Sequence, residues 1–334
     1  MSSPVRIPPS YFTILFLVTL AGCSLIPESD QSLQDTKTAI NIQQTKLASQ
    51  ILTATAEQSG MPTAVVPVLT SPPPSEEAPT QAATTPGGSS PGSMQAMMKS
   101  AKILLYEDMV AFPDTTRYVR DTLEYMDLPY VDVGNAIGDL KTQLMSYGTD
   151  GKGWDLVILA AEAKPEIQGE LFTYIDDLLE KDSSVILEVW YLDKVAGGTA
   201  SALLARCGVA FEKDWRNVSP NGMIMFPLDS SNPVLQEPNS GLTFTKVTSY
   251  WWDPVGDTQY DIGDLMKITG GGDAKLLIGI SPRESTIHGT STVCINGRLI
   301  LQTFSSHQLT YNAMRPLWEN YIYNTLKVRF SGGS

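Results

Sequence analysis

The 334 residues of the chain allow one or two domains, and their charge already excludes whole classes of partner. Acidic residues number 36 against 23 basic ones, a formal net charge of -13, so the chain lacks the clustered Lys and Arg that nucleic acid or an anionic membrane surface requires. With two His and three widely separated Cys, the usual zinc spacings are excluded as well.

Arg6 precedes an apolar run from Tyr11 to Leu20, about ten residues long where a membrane-spanning helix needs roughly 20. Such a segment has the pattern of a secretory signal. Its ending, Leu20-Ala21-Gly22-Cys23, resembles the bacterial lipobox. The resemblance implies a signal peptide over residues 1–22, a diacylglycerol on the Cys23 thiol, and an exported lipoprotein held at the cell membrane or outer surface. Each buried acyl CH₂ adds about 0.8 kcal/mol of membrane affinity, and more than one chain makes the anchor stable. The alternative is a buried N-terminal strand that happens to end in cysteine.

Residues 23–99 read as a low-complexity tether. Over 32–58 the chain is polar and proline-free, with Leu33, Ile40 and Leu47 at seven-residue intervals, a spacing that fits either a lone helix or a weak self-associating coil. After Gly60 the composition turns to Pro, Thr, Ser and Ala, including Pro72-Pro73-Pro74 and Pro86-Gly87-Gly88. Too little apolar surface is present to offset the entropy of ordering, so an extended spacer is expected.

A folded domain is predicted over 100–331. Strand-like runs at Ile103–Tyr106, Tyr130–Val133, Trp154–Ala161 and Val185–Tyr191 alternate with helical patterns after Pro113-Asp114, over Ile137–Tyr147 and Ile167–Leu179, and from Thr199 to Arg206. The alternation predicts an α/β fold, a doubly wound, mostly parallel sheet. The C-terminal half adds antiparallel strands at Met223–Phe226, Leu242–Phe244, Lys275–Ile280, Ser291–Ile295 and Arg298–Phe304, with Asn296-Gly297 as a two-residue hairpin turn. A last helix runs from Tyr311 to Leu326.

The order of elements, Asn232-Pro233-Val234 before a strand pair, and the ending Asn296 to His307 followed by Leu317-Trp318-Glu319-Asn320 resemble the class I glutamine amidotransferase-like fold, in its ThuA-like branch. That fold is flavodoxin-like, and its true amidotransferases place a Cys on the turn after a strand, paired with a His and a Glu two residues apart. Here the matching turn is Leu192-Asp193-Lys194-Val195-Ala196-Gly197-Gly198, without Cys or Ser. His307 is followed by Gln308 and Leu309. The resemblance therefore implies the scaffold without glutaminase activity. Cys207 and Cys294 are open to pairing or to burial as reduced thiols.

In open parallel sheets, ligands sit beyond the carboxyl ends of the strands. Glu107, Asp108, Glu162 and Asp193 are expected there, with His307 as a neighbour, as candidates for binding sugar hydroxyls, holding a hard cation or general acid-base work. The competing reading makes each a cap on the next helix. Trp251 and Trp252 offer faces for a sugar ring, although aromatic residues at strand edges are more often core. Asp253, Asp257, Asp261 and Asp264 do not follow the alternation of a calcium loop, and Gly270-Gly271-Gly272-Asp273 reads as a loop, so neither metal nor cofactor is expected. The resulting expectation is a membrane-anchored exported lipoprotein that displays a non-catalytic binding or interaction module for carbohydrate or envelope proteins. Two alternatives are a carbohydrate-active hydrolase using those carboxylates and a structural envelope protein.

Overall fold

A computed structural model of the chain describes residues 91–108, 116–146, 153–161, 166–217, 224–245, 253–255 and 259–332. Cys23, the 32–58 stretch, Glu162, Trp251 and Trp252 lie outside these residues.

The predicted alternation is present. After helix α1 (Pro91–Lys99) come β1 (Ile103–Glu107), α2 (Tyr118–Tyr125), β2 (Val131–Asp132), α3 (Ile137–Met145), β3 (Leu156–Ala161), α4 (Glu170–Glu180) and β4 (Ser184–Val189). Two further helices, α5 (Leu192–Val195) and α6 (Thr199–Cys207), lead to β5 (Val209–Asn217), β6 (Ile224–Pro227), β7 (Phe244–Thr245), β8 (Asp253–Val255) and β9 (Gln259–Ile268). The chain closes with β10 (Lys275–Gly279), β11 (His288–Gly289), β12 (Ser291–Cys294), β13 (Leu299–Gln302) and α7 (Tyr311–Ser331).

The architecture is α/β. One mixed sheet runs β2-β1-β3-β4-β13-β12-β10-β6-β7, parallel from β2 through β13 and antiparallel beyond it. Alternation along each strand sends side chains to two cores. Ile103, Leu105, Ile158, Ile186 and Ile300 pack with α1, α2 and α7, whereas Leu104, Tyr106, Val157, Leu187 and Leu301 pack with α3, α4, α5 and α6. Strands covered on both faces are apolar at most positions, which is why they read as nearly continuous runs.

A separate antiparallel sheet, β11-β9-β5 with β8 also on β9, corrects the expected layout. Its two long strands, 209–217 and 259–268, carry Glu212, Lys213, Asp214 and Arg216 or Asp261, Gly263 and Asp264 in place of an apolar run. Register shifts between Phe211 and Lys213 and between Trp215 and Arg216 break the period of two. Helix α1 packs Met94 and Met98 against the core.

Two close approaches fix this sheet in place. Gly263 bridges Phe304, and a Cβ there would fall on the Thr303 carbonyl oxygen. Gly272 stands against the carbonyls of Arg206 and Cys207, and the next residue, Asp273, accepts the N–H groups of Ile295 and Asn296 at 2.6 Å each. The Gly-rich loop is thus a packing element. The Asn296-Gly297 turn forms as expected, with both residues at positive φ and Arg298 N–H donating to the Ile295 carbonyl at 3.1 Å. Cys207 and Cys294 form a disulfide with Cα atoms 5.2 Å apart, joining the end of α6 to β12.

Candidate functional site

The strand ends do not gather the predicted carboxylates into one cleft; they divide them among three places. Glu107, at the end of β1, is buried on the α2 side. Arg117 stands at the N-cap of α2 and makes no side-chain cap. Glu107 replaces it, accepting the backbone N–H groups of Val119 at 2.9 Å and Arg120 at 3.2 Å. The Arg117 guanidinium lies 3.3 Å from the same carboxylate and also holds Asp132. Burial pushes the Glu107 carboxyl above its ordinary range, opposed by Arg117 and the two N–H groups. This is a helix cap supplied from a neighbouring strand.

His307 lies on the same side, fully buried. Its ring stacks on Tyr118 with centroids 4.0 Å apart. Its Nε2 lies 2.9 Å from the Thr116 carbonyl oxygen, and since a carbonyl only accepts, Nε2 carries the proton. Burial lowers the imidazole below its ordinary value, against the opposing pull of Glu188 and Glu107.

Glu188 was not among the predicted site residues. It occupies β4 with no exposed surface, and accepts Ser306 N–H at 2.6 Å and Ser306 Oγ–H at 2.9 Å. Ser306 Oγ in turn accepts from Trp318 Nε1 at 2.9 Å and Gln302 Nε2 at 3.1 Å. An acidic residue inside the apolar run Val185-Ile186-Leu187-Glu188-Val189 was the available signal, since a buried charge requires partners. The network uses the serine hydroxyl as a structural hub.

Asp108 goes elsewhere. Buried at the end of β1, it continues the ladder by donating its N–H to the Ala160 carbonyl at 3.0 Å. It stands within electrostatic reach of Tyr106 and Tyr191, whose hydroxyls it helps hold protonated, burial being the larger cause. Tyr106 donates to Glu166 at 3.1 Å, and Tyr191 accepts Ile167 N–H at 3.2 Å.

Asp193 opens α5 and faces the second sheet. Its backbone N–H donates to Asp264 Oδ2 at 3.0 Å. Asp261 and Asp264 stand near it on β9, where burial and then the neighbouring carboxylates push the Asp264 carboxyl to about 8 and Asp261 to about 6, against the opposing pull of the Asp193 N–H on Asp264 and the Gly263 N–H on Asp261. Burial raises Asp193 as well. Asp264 has no exposed surface, so it cannot touch a substrate. Among the described residues, no group of three His, Cys, Asp or Glu is arranged to hold a metal ion.

The segments quoted for the family resemblance also prove structural. Asn320 accepts Asn239 N–H at 2.8 Å and returns its own amide to the Asn239 carbonyl at 2.8 Å, while Glu319 accepts the Asn239 side chain at 2.9 Å. These bonds clasp the loop after Asn232-Pro233-Val234 onto α7.

No family model and no curated protein matches the chain. Among the described residues, no helix is long and apolar enough to cross a membrane.

Proposed function

We propose that the chain is an exported lipoprotein, anchored through Cys23, that displays a non-catalytic α/β module for binding, with carbohydrate as the ligand class. The observation that carries the non-catalytic part of this reading is the Glu188–Ser306–Trp318 network. Together with the Glu107 cap, it commits Glu107, Glu188 and Ser306 to holding the fold. The turn after β4 supports it too: Tyr191 and Leu192 are buried there, where an amidotransferase presents its nucleophile, and Cys207 is bound to Cys294.

The order β2-β1-β3-β4 with helices on both faces supports a doubly wound, flavodoxin-like arrangement and the amidotransferase-like resemblance. The disulfide supports export, since such bonds persist in oxidising compartments. The test presents the full chain to an array of polysaccharide fragments and follows turnover of each fragment bound, with glutamine as a further substrate. Binding without turnover is the expected result, and hydrolysis of glutamine or of a bound glycan overturns the reading.

A further inference from the structure

Asp193, Asp261 and Asp264 each bury one carboxyl oxygen, Oδ1 in every case, without a hydrogen-bond partner. The three meet where the second sheet is attached to the first. Asp264 N–H donates to the Thr303 carbonyl at 2.8 Å, and Thr303 Oγ1 donates to the Asp264 carbonyl at 2.6 Å. Asp193 N–H adds the link from α5. Fully ionised, three carboxylates offer one another only acceptors and like charge; a proton on any of them removes one negative charge and supplies a donor.

We propose that Asp193, Asp261 and Asp264 form a proton-operated latch that holds β9 against α5 and the end of β13, closed when the cluster retains protons and loosened when it is fully ionised. Among the described residues, the charged groups facing the cluster are Lys194 from α5 and Asp214 and Arg216 from β5. Arg216 is itself paired with Asp214. From β13 and the turn beyond it, the contacts are Thr303 and Phe304, which do not titrate. Asp264 is sealed from water and Asp261 is 8% exposed, so solvent does little to screen their repulsion.

The raised carboxyl values of Asp264 and Asp261 set the working range. A carboxyl whose value rises on folding stabilises the fold fully below its unfolded value of 3.8, and that stabilisation is lost as pH climbs through the folded value. For Asp264 the loss is complete above about 8.

The experiment melts the full chain and its Asp264→Asn variant between pH 6.5 and 9. Asn keeps the shape and supplies the donor without the titration. The wild-type midpoint is expected to fall by roughly 5 °C across this range, and the variant to show a clearly flatter profile. A variant that retains the wild-type slope, or a wild-type midpoint that does not fall, overturns the latch. Should Asp264→Asn fail to fold, the carbon-13 resonance of the wild-type Asp264 carboxyl decides: titration near 8 supports the latch, and titration near 4 overturns it.

Discussion

Ser306 gives both its backbone N–H and its hydroxyl to the Glu188 carboxylate, at 2.6 and 2.9 Å, tying the turn after β13 to the carboxyl end of β4. Removing the hydroxyl leaves Trp318 Nε1 without its acceptor and takes one of the two acceptors from Gln302 Nε2. A buried donor or acceptor left unsatisfied costs about 1–3 kcal/mol. Ser306→Ala is therefore expected to lower unfolding free energy by about that amount, measured by urea denaturation, without altering glycan binding.

Glu107 is expected to behave as a cap. Gln offers one accepting oxygen where the carboxylate offers two, and it lacks the charge that meets Arg117. Glu107→Gln should cost about 1–2 kcal/mol in the same assay. The glycan binding proposed above should be the same in the variant as in the wild type; a selective loss of binding with unchanged stability would make Glu107 a ligand contact.

His307 gives the domain an acid-side dependence. Its folded value is depressed by burial, so the unfolded chain takes up the proton first as pH falls. The stability it contributes is present above about 6.5, the unfolded value, and is lost as pH falls from there through the folded value. The difference in melting midpoint between wild type and His307→Gln should therefore shrink from pH 7 to pH 5. In the wild type, nitrogen NMR should show a neutral ring protonated at Nε2 at pH 7.

The Cys207–Cys294 bond closes a long loop, the two residues being 87 apart. Replacing both by Ala is expected to cost about 2–5 kcal/mol, seen as a lower midpoint than that of the oxidised wild type. Gly272→Ala should weaken the same corner, by about 1–3 kcal/mol, because the added methyl meets the Cys207 carbonyl.

The parallel half of the main sheet was legible because strands buried on both faces are largely apolar, as in Leu156-Val157-Ile158-Leu159. Its helices were legible through their periodic faces. The second sheet was not, because β5 and β9 are bulged and charged, and β9 carries its burial through Asp261, Gly263 and Asp264 as much as through Ile262 and Leu265. At the strand ends, residue type told which groups carry charge but not where each would spend it. Glu107 and Asp193 look alike in sequence, yet one caps a helix and the other faces two buried carboxyls on a distant strand.

Display from the membrane through Cys23 is tested most directly by mass spectrometry of the mature N-terminus from membranes of the native host, alongside a Cys23→Ser chain. A diacylglycerol-bearing Cys23 as the first residue, with the Ser variant released as an intact soluble domain, is the predicted result. An unmodified Met1 or a free Cys23 thiol on the membrane-bound protein would contradict it.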